Sequence, residues 1–336
     1  MNIQTDFSLK DYNTFRVDAK ARKFLSLSNI DDLYHLIQEN EFHVSEKLFL
    51  GMGSNVLFTK DFDGYIINNV LKGIKIIEQD ENSAIVEASG GESWDNFIAF
   101  CLENNLYGLE NLTAIPSSVG AAPVQNIGAY GVEQSEYFHS LTAFNINTGE
   151  IILFDKEQCE FGYRTSFFKQ PQNKHLLILK VRYSLSKKFQ PKTNYKDIKD
   201  FFGNFTNFNA KMLSQAIAEI RESKLPAISI FHNAGSFFKN PIISQEEFLR
   251  LQTKLPEITW HKVAENYVKI PAAYLIEKAG LKGHRIGDVG ISAKHSLIIV
   301  NYGNATGKQI YDFSNYVIDI VLELFNIKLI PEVVII

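Results

Sequence analysis

The sequence has only two cysteines, no excess of positive charge and no long apolar run. Cys101 and Cys159 cannot form a disulfide framework and do not form a CxxC pair, which favours a reducing compartment, the cytoplasm. The formal net charge of -4 leaves no dense basic surface for nucleic acid. No stretch is apolar over the length of a bilayer, and the N-terminus lacks an apolar run followed by a cleavage site. We therefore expect neither a membrane span nor a signal peptide.

The composition is that of a folded protein, with 45% apolar and 21% charged residues. A length of 336 residues is enough for two or three domains. The eight histidines include no HxxxH spacing, so no metal site is predicted. These features indicate a multidomain chain without a resident metal.

The first half of the chain is rich in strand patterns. Asn29 is placed to cap a helix with Leu33, Leu36 and Ile37 on one face. The spacing over residues 94–102 predicts a second helix that buries Cys101. The segments predicted as strands are FLSLS, KLFL, GYIINNV, IKII, AIVEAS, LTAFNI, EIILF and LLILKVRYSL.

The chain becomes mainly helical after the polar segment SKKFQPKTNYKD, which begins at Ser186 and is interpreted as a linker. A helix ending near Pro226 is predicted first. Ser244 and Glu247 match a capping box, SLIIV and PEVVII are predicted strands, and Pro271 and Gly280 bracket a further helix. The buried faces of the first and last helices are predicted from Leu213, Ile217 and Ile220, and from Ile310, Phe313, Val317, Val321 and Leu324.

GMGSN, from Gly51 to Asn55, follows the predicted strand KLFL. Its glycines permit positive φ and close backbone approach, so successive N–H groups could bind an anion. It is not the dinucleotide GxGxxG, because the third glycine is missing and a strand, not a helix, follows. An ordinary hairpin turn is the alternative.

A second loop, Ile115–Gly131, is made largely of small residues. Long loops without regular structure are uncommon in compact domains and are often functional. The alternative is a tightly packed crossing of two strands. Two such loops in a strand-rich half indicate one extended ligand that contains a diphosphate.

A single hydroxyl, Ser236, lies in the turn-prone stretch NAGSFFKNP. The residue types alone allow three interpretations: a helix cap, a turn residue or a group that takes part in chemistry. Only a wider pattern distinguishes them.

Several motifs occur in a fixed order over nearly the whole chain: YNTFRV, GMGSNVLF, GLENLTAIPSSVGAAPVQNIGAYGVE, CEFGYRTSFFK, NAGSFFKNP, AAYLIEKAGLKGHRIG and PEV. Together they closely resemble the UDP-N-acetylenolpyruvoylglucosamine reductases, flavoenzymes that complete UDP-N-acetylmuramate for peptidoglycan. NYKD, with Tyr195, resembles the type I branch, in which a tyrosine loop closes over substrate.

The resemblance implies an α+β fold. It consists of a two-lobed FAD-binding domain of the vanillyl-alcohol-oxidase type over residues 1–70 and 71–205, and a C-terminal α+β substrate-binding domain over 206–336. The last few residues are expected to return to the first lobe. The implied cofactor is FAD, the hydride donor is NADPH and the substrate is a UDP-sugar. We expect a monomer without nucleic-acid or membrane partners.

The resemblance assigns both small-residue loops to FAD. Ser117 stands where family members often have glycine, and Ala121 and Ala122 where they have glycine or serine, so hydroxyl contacts to phosphate are expected to be rearranged. The implied cofactor-binding residues are Gly51, Gly53, Ser54, Asn55, Val56, Ile115, Ser117, Ser118, Ala121, Ala122 and Gly128.

The implied reaction has two halves. NADPH delivers hydride to FAD, and hydride then passes to the β-carbon of the enolpyruvyl ether, which leaves negative charge at the α-carbon. By resemblance Ser236 donates the proton, Arg164 binds the substrate carboxylate, and Glu332 polarises that carboxylate as a hydrogen-bond donor when protonated. The residues implied to contact the UDP-sugar are Tyr163, Tyr195, Lys224, Asn240 and Lys269.

Two other functions stay open. One is a flavin enzyme of the same fold that acts on another substrate, and the other is an inactive UDP-sugar or nucleotide sensor. That all three catalytic positions are filled argues against the sensor. Taken alone, Arg164 could be a surface arginine, Glu332 an exposed strand residue and Lys224 a solvated lysine at a helix end.

Overall fold

The computed structural model describes residues 1–336. The strands are β1 (Ile3–Ser8), β2 (Lys20–Leu27), β3 (Glu46–Leu50), β4 (Val56–Leu57), β5 (Phe62–Asn69), β6 (Ile74–Gln79), β7 (Ser83–Ser89), β8 (Gly128–Ala129), β9 (Val132–Glu133), β10 (Phe138–Asn145), β11 (Ile151–Asp155), β12 (Leu176–Ser186), β13 (Ile242–Ser244), β14 (His261–Ala264), β15 (Tyr267–Lys269), β16 (Arg285–Ile286), β17 (Val289–Ile291), β18 (Ile299–Asn301) and β19 (Val334–Ile335). The α-helices are α1 (Asp31–Leu36), α2 (Asn40–Val44), α3 (Trp94–Glu103), α4 (Lys196–Phe202), α5 (Ala210–Lys224), α6 (Gln245–Lys254), α7 (Ala272–Lys278) and α8 (Gly307–Phe325).

The chain forms two compact units, each built from three separate segments. The predicted domains, 1–70, 71–205 and 206–336, follow one another along the chain, and their boundaries remain a prediction. The first unit comprises Met1–Phe7, Ala21–Met52 and Asp63–Ser223, and the second comprises Ser8–Lys20, Gly53–Phe62 and Lys224–Ile336.

Two sheets organise the first unit. One has the order β11-β10-β12-β7-β6 and is antiparallel throughout, and the other has the order β1-β2-β5-β3, in which β3 and β5 are parallel. β4, by contrast, pairs with β19. Since β3 and β4 belong to different sheets, the GMGSN loop between them is not a hairpin turn, and that alternative is wrong.

Strand β12 contributes to two cores because its side chains alternate between the two faces of the sheet. Leu176 and Ile178 join the core that includes Trp94 and Phe97 of α3. Leu177 and Leu179 pack instead with Leu33 and Leu36 of α1. The first four residues of β12 form a continuous buried apolar run, the remainder alternates, and LLILKVRYSL is a strand as predicted.

The helices of the first unit are partly as predicted. Asn29 Oδ1 accepts a hydrogen bond from the Asp31 N–H at 3.0 Å, just before α1. α3 buries Cys101 as expected. Helices α2 and α4 were not predicted, and the predicted linker stops at Tyr195, because α4 already begins in NYKD. Both missed helices span less than two turns, too short for a helical period to be visible.

The second unit contains β4, β13 to β19 and α6 to α8. Its sheets have the orders β13-β15-β14, β16-β17-β18 and β19-β4. The predicted capping box of α6 is confirmed: Ser244 Oγ accepts from the Glu247 N–H at 3.2 Å, and Glu247 Oε2 accepts from the Ser244 N–H at 2.9 Å. No helix of the chain has both the length and the apolar character needed to cross a bilayer.

Two details of the second unit differ from the prediction. Leu324 is 44% exposed, because the last turn of α8 extends beyond the core that still buries Val321. SLIIV is only partly a strand: Ser296 and Leu297 form a turn closed by the Ile298 N–H and the His295 carbonyl, and β18 starts at Ile299.

Candidate active site

The two small-residue loops are neighbours within the first unit. A Cβ added to Gly51 would lie 2.5 Å from Ser118 Oγ and 3.5 Å from Ala121 Cβ. A side chain at position 51 therefore cannot be accommodated without movement, and glycine permits the approach. The loops predicted to share one ligand thus lie side by side at this point.

Residues 117–122 form a compact turn, and most of their side chains are small. The N–H groups of Ala121 and Ala122 both donate to the Ser118 carbonyl at 3.1 Å, and the Ser117 hydroxyl donates to the same oxygen at 3.1 Å. Ser118 is 3% exposed, and its hydroxyl oxygen faces the backbone of Gly51. A buried hydroxyl beside glycine backbone is a donor set that suits a phosphate.

Arg164 lies in a tight turn whose ends, Gly162 and Thr165, exchange backbone hydrogen bonds at 3.1 and 3.2 Å. Its φ of +54° is in the left-handed region. Its Nη2 donates to the Gly128 carbonyl at 2.9 Å, and its guanidinium carbon is 5.2 Å from the centre of the Tyr163 ring. The turn thus directs the arginine head to the end of the Ile115–Gly131 loop, and the partly buried side chain is not a simple surface arginine.

Tyr195 precedes α4 and is 47% exposed. Its ring stands edge-on to that of Tyr130, with the centroids 5.2 Å apart. Ile198 of α4 is fully buried against Leu213 and Ile217 of α5. The predicted substrate tyrosine is therefore carried on a short helix that is anchored to a long one.

Ser236 and Glu332 lie on adjacent backbone segments of the second unit. The Glu332 N–H donates to the Phe237 carbonyl at 2.7 Å, and the Phe237 N–H donates to the Leu297 carbonyl at 2.8 Å. The Ser236 side chain is exposed, whereas Phe237 is fully buried. No helix includes the segment between α5 and β13, so the interpretation of Ser236 as a helix cap is wrong.

Part of the GMGSN loop lies beside the same segments. Asn55 Nδ2 donates to the Glu332 carbonyl at 3.4 Å, and the Asn55 carbonyl accepts from the Val334 N–H at 3.0 Å. Val56 pairs with Val334 in the β4–β19 ladder. Glu332 is partly buried and is fixed through its backbone on both sides, so it is not a freely exposed glutamate.

Gly53 permits another close backbone approach. A Cβ there would lie 2.0 Å from the Tyr12 carbonyl oxygen, and φ is +64°. The Thr14 N–H donates to the Gly53 carbonyl at 3.1 Å. Ser54, which follows it, and Ile115 of the second loop are partly buried. The boundary between the two units falls between Met52 and Gly53.

The remaining predicted substrate residues occupy element ends. Asn240 Oδ1 accepts from the Ala272 N–H at 3.0 Å and so caps the start of α7. Lys269 ends β15, between Ile242 and His261 of the flanking strands. Lys224 is the exposed last residue of α5. No group of three or more His, Cys, Asp or Glu side chains is arranged to hold a metal ion.

The family comparisons cover most of the chain. Residues 22–155 match the model of the FAD binding domain, and residues 226–336 match that of the UDP-N-acetylenolpyruvoylglucosamine reductase C-terminal domain. The UDP-N-acetylenolpyruvoylglucosamine reductase of Flavobacterium johnsoniae is 44% identical over 336 residues, with 99% of each chain covered. The chain belongs to the UDP-N-acetylenolpyruvoylglucosamine reductase family.

Other members of the reductase family agree with this assignment. The enzyme of Amoebophilus asiaticus is 43% identical over 335 residues and 99% of each chain. The crystal structure of the reductase from Thermus caldophilus covers 99% of this chain and 98% of its own, with a TM-score of 0.68 and 22% identity, and it supports the fold alone. The predicted α+β fold, with an FAD-binding domain and a C-terminal domain, is confirmed. FAD is accordingly the cofactor of the matched N-terminal domain.

Two residues that the sequence patterns did not single out lie beside the predicted ones. Tyr130 packs against Tyr195, and Arg221 of α5 donates from Nε to the Ala114 carbonyl at 3.1 Å. Arg221 follows Ile220 on an otherwise amphipathic helix, so its sequence context resembles that of a solvated helix arginine. Only the fold brings it to the loop, 107 residues earlier in the chain.

Proposed function

We propose that this protein reduces the enolpyruvyl group of UDP-N-acetylenolpyruvoylglucosamine to give UDP-N-acetylmuramate for peptidoglycan, with NADPH as the hydride donor. The observation that carries the proposal is the identity of 38–44% to curated reductases along 98–99% of this chain. It is supported by the positions of Ser236 and Glu332 on adjacent segments of the second unit.

The small-residue loops would hold the cofactor. Bound FAD supplies the two-electron chemistry that connects NADPH to the alkene of the substrate. The backbone of the GMGSN loop and the Ser118 hydroxyl suit a diphosphate, and glycine at position 51 keeps the two loops in contact. The residues proposed to hold FAD are Gly51, Gly53, Ser54, Asn55, Val56, Ile115, Ser117, Ser118, Ala121, Ala122 and Gly128.

The catalytic residues would act on the charge that develops in the substrate. Arg164 would bind the carboxylate, and its planar fork suits this task better than an ammonium group. Glu332, when protonated, would donate a hydrogen bond to the same carboxylate. Ser236 would transfer the proton of its hydroxyl to the α-carbon, which requires a strongly basic carbon and exclusion of water, since serine is a weak acid.

The UDP-sugar would be bound by five side chains. Tyr163 and Tyr195 offer aromatic rings and hydroxyls, Lys224 and Lys269 offer charge for phosphates, and Asn240 offers its remaining amide group. We also infer a monomer located in the cytoplasm, in keeping with two buried free cysteines.

The test is a substrate-dependent assay with the purified protein. We expect a flavin absorption spectrum and NADPH oxidation that starts only when UDP-N-acetylenolpyruvoylglucosamine is added. NADPH oxidation that is unaffected by this sugar nucleotide would favour another flavin enzyme of the same fold. A protein that binds no FAD and oxidises no NADPH would favour a sensor.

A further inference from the structure

Two residues at the ends of the Ile115–Gly131 loop have an unusual backbone conformation: one immediately precedes the loop and the other is its second-to-last residue. Ala114 has a φ of +61° and Tyr130 a φ of +49°. Residues with a Cβ rarely adopt left-handed φ values, and such conformations persist only where the surroundings enforce them. Neither residue is glycine or asparagine, so contacts at each end must hold the backbone in place.

One side chain, Arg221, contacts both ends of the loop. Its Nε donates to the Ala114 carbonyl at 3.1 Å. The same guanidinium lies close enough to the Tyr130 hydroxyl to oppose the rise that burial causes in the pKa of that hydroxyl. Two helical turns earlier on α5, Ser214 Oγ lies 2.7 Å from Thr113 Oγ1. Helix α5 therefore contacts the residues that precede the loop at two points, Thr113 and Ala114.

Each end of the loop has a second fixed contact. The Ala114 N–H donates to Asp95 Oδ1 at 2.7 Å, so this peptide is held from both sides. Asn111 Nδ2 donates to the Tyr130 carbonyl at 3.0 Å and to the Lys192 carbonyl at 2.8 Å. The Tyr130 ring then contacts Tyr195. A continuous chain of contacts thus leads from Arg221 through Tyr130 to the Tyr195 segment.

The chemistry of this position requires an arginine. Burial lowers the pKa of the Arg221 guanidinium, and the nearby Tyr130 and Asp95 oppose that shift. A guanidinium offers donors in several fixed directions, so one side chain reaches a carbonyl and a hydroxyl together. A lysine has a single ammonium nitrogen and would lose at least one of these contacts.

The geometry points to Arg221 as a positioning residue that holds both ends of the Ile115–Gly131 loop in place for the cofactor and, through Tyr130, orients Tyr195 for the substrate. This role rests on the proposed function, because that proposal assigns the loop to FAD. Arg221 acts through the backbone of Ala114 and the ring of Tyr130.

The test compares Arg221→Met and Arg221→Lys with Arg182→Met as the matched control. Arg182 is a partly buried arginine of the same unit, paired with Glu87 and remote in sequence from the loop. FAD affinity of the apoprotein is measured by quenching of flavin fluorescence, and hydrogen–deuterium exchange is followed over residues 115–131. We expect at least tenfold weaker FAD binding and faster exchange for Arg221→Met, a smaller loss for Arg221→Lys, and wild-type behaviour of the control.

A double-mutant cycle distinguishes positioning from general destabilisation. Tyr130→Phe removes only the hydroxyl, and we expect it to add no further loss of FAD affinity in the Arg221→Met background, because both changes break the same contact. In the active enzyme, Arg221→Lys should raise the KM for the sugar nucleotide several-fold more than it lowers kcat.

Wild-type FAD affinity and wild-type exchange in folded Arg221→Met would overturn the inference, as would fully additive losses in the cycle. If Arg221→Met does not fold, Arg221→Lys and Tyr130→Phe carry the same comparison. If the wild-type apoprotein binds no FAD, the proposed function is contradicted instead. Hydrogen–deuterium exchange over residues 115–131 would then still test whether Arg221 holds the loop in place.

Discussion

Four non-glycine residues in or beside the Ile115–Gly131 loop have left-handed φ values: Ala114, Asn126, Tyr130 and Arg164. Backbone strain of this kind concentrates at functional sites, where surrounding contacts hold it. The Arg164 side chain reaches the Gly128 carbonyl from this conformation. The strain therefore supports the proposed placement of the arginine head at the end of the loop.

The residue type at position 164 can be tested directly. We expect Arg164→Lys to lower kcat/KM for the enolpyruvyl substrate by about 10²–10³, comparable to losing one donor to a developing anion. A lysine donates from a single nitrogen and lacks the planar fork that could bind a carboxylate in two places while it also contacts the Gly128 carbonyl. Reduction of bound FAD by NADPH, followed by stopped-flow, should be unchanged. Arg182→Lys is the control, and near-wild-type turnover of Arg164→Lys would contradict this role.

Individual residues differed in how far the sequence could predict them. Gly51 and Ser236 stand in short motifs whose composition indicates close backbone approach and a lone hydroxyl. Arg221 stands in an ordinary helical pattern, and its partner is Ala114, far away in the chain. Local patterns cannot reveal such a long-range contact, because it exists only once α5 packs on the loop.

At the scale of elements, strand-like composition predicted the long strands and capping signals predicted α6, because both depend on neighbouring residues. Helices α2 and α4 were missed because helices of less than two turns show no visible helical period in the sequence. Leu324 was placed wrongly in the core, since helical spacing gives the face of a side chain but not where the core ends.

Glu87 makes the five-stranded sheet sensitive to pH. It lies on β7 among Lys75, Lys180 and Arg182, with nitrogen–oxygen distances of 3.4, 3.2 and 2.8 Å. Burial alone would raise the pKa of this carboxyl, but hydrogen bonds from Arg182 and Lys180 and their charges outweigh burial and lower it. Because the pKa is lowered in the folded state, the ionised Glu87 stabilises the fold at pH values above the ordinary pKa of 4.5. This stabilisation is lost as the pH falls through the folded-state pKa.

We therefore expect Glu87→Gln to lower the free energy of unfolding by about 1–3 kcal/mol at neutral pH, the value of charged hydrogen bonds. The difference in the free energy of unfolding between the variant and the wild type should become smaller as the pH falls below about 4.5. Urea unfolding between neutral and acid pH measures both. Glu81→Gln, in the exposed turn before β7, is the control. A gap that stays constant with pH would contradict the assignment to Glu87.

At the scale of the whole molecule, the second unit is completed by segments from early in the chain. Asn301 Nδ2 donates to the Phe15 carbonyl at 2.9 Å, and the Thr59 N–H donates to the Ile336 carbonyl at 2.9 Å. β19 pairs only with β4. No composition shift in the sequence marks residues 8–20 or 53–62 as partners of the C-terminal part, so this organisation could not be predicted from patterns.

These contacts predict that the C-terminal segment does not fold alone. A fragment of residues 224–336 lacks the partner strand of β19 and the Phe15 carbonyl that accepts from Asn301, so backbone groups of β19 lose their partners. We expect no cooperative thermal transition by circular dichroism, in contrast to the full chain. A sharp, cooperative melt of the isolated fragment would show that residues 8–20 and 53–62 are dispensable.

The most direct test of the proposed chemistry separates the two half-reactions in Ser236→Ala. Reduction of bound FAD by NADPH should proceed at the wild-type rate, while transfer to the enolpyruvyl sugar nucleotide should slow by about 10²–10⁴, the usual contribution of a general acid. Ser244→Ala, which removes the α6 cap, should affect stability alone. Equal slowing of both half-reactions, or none in the second, would contradict Ser236 as the proton donor.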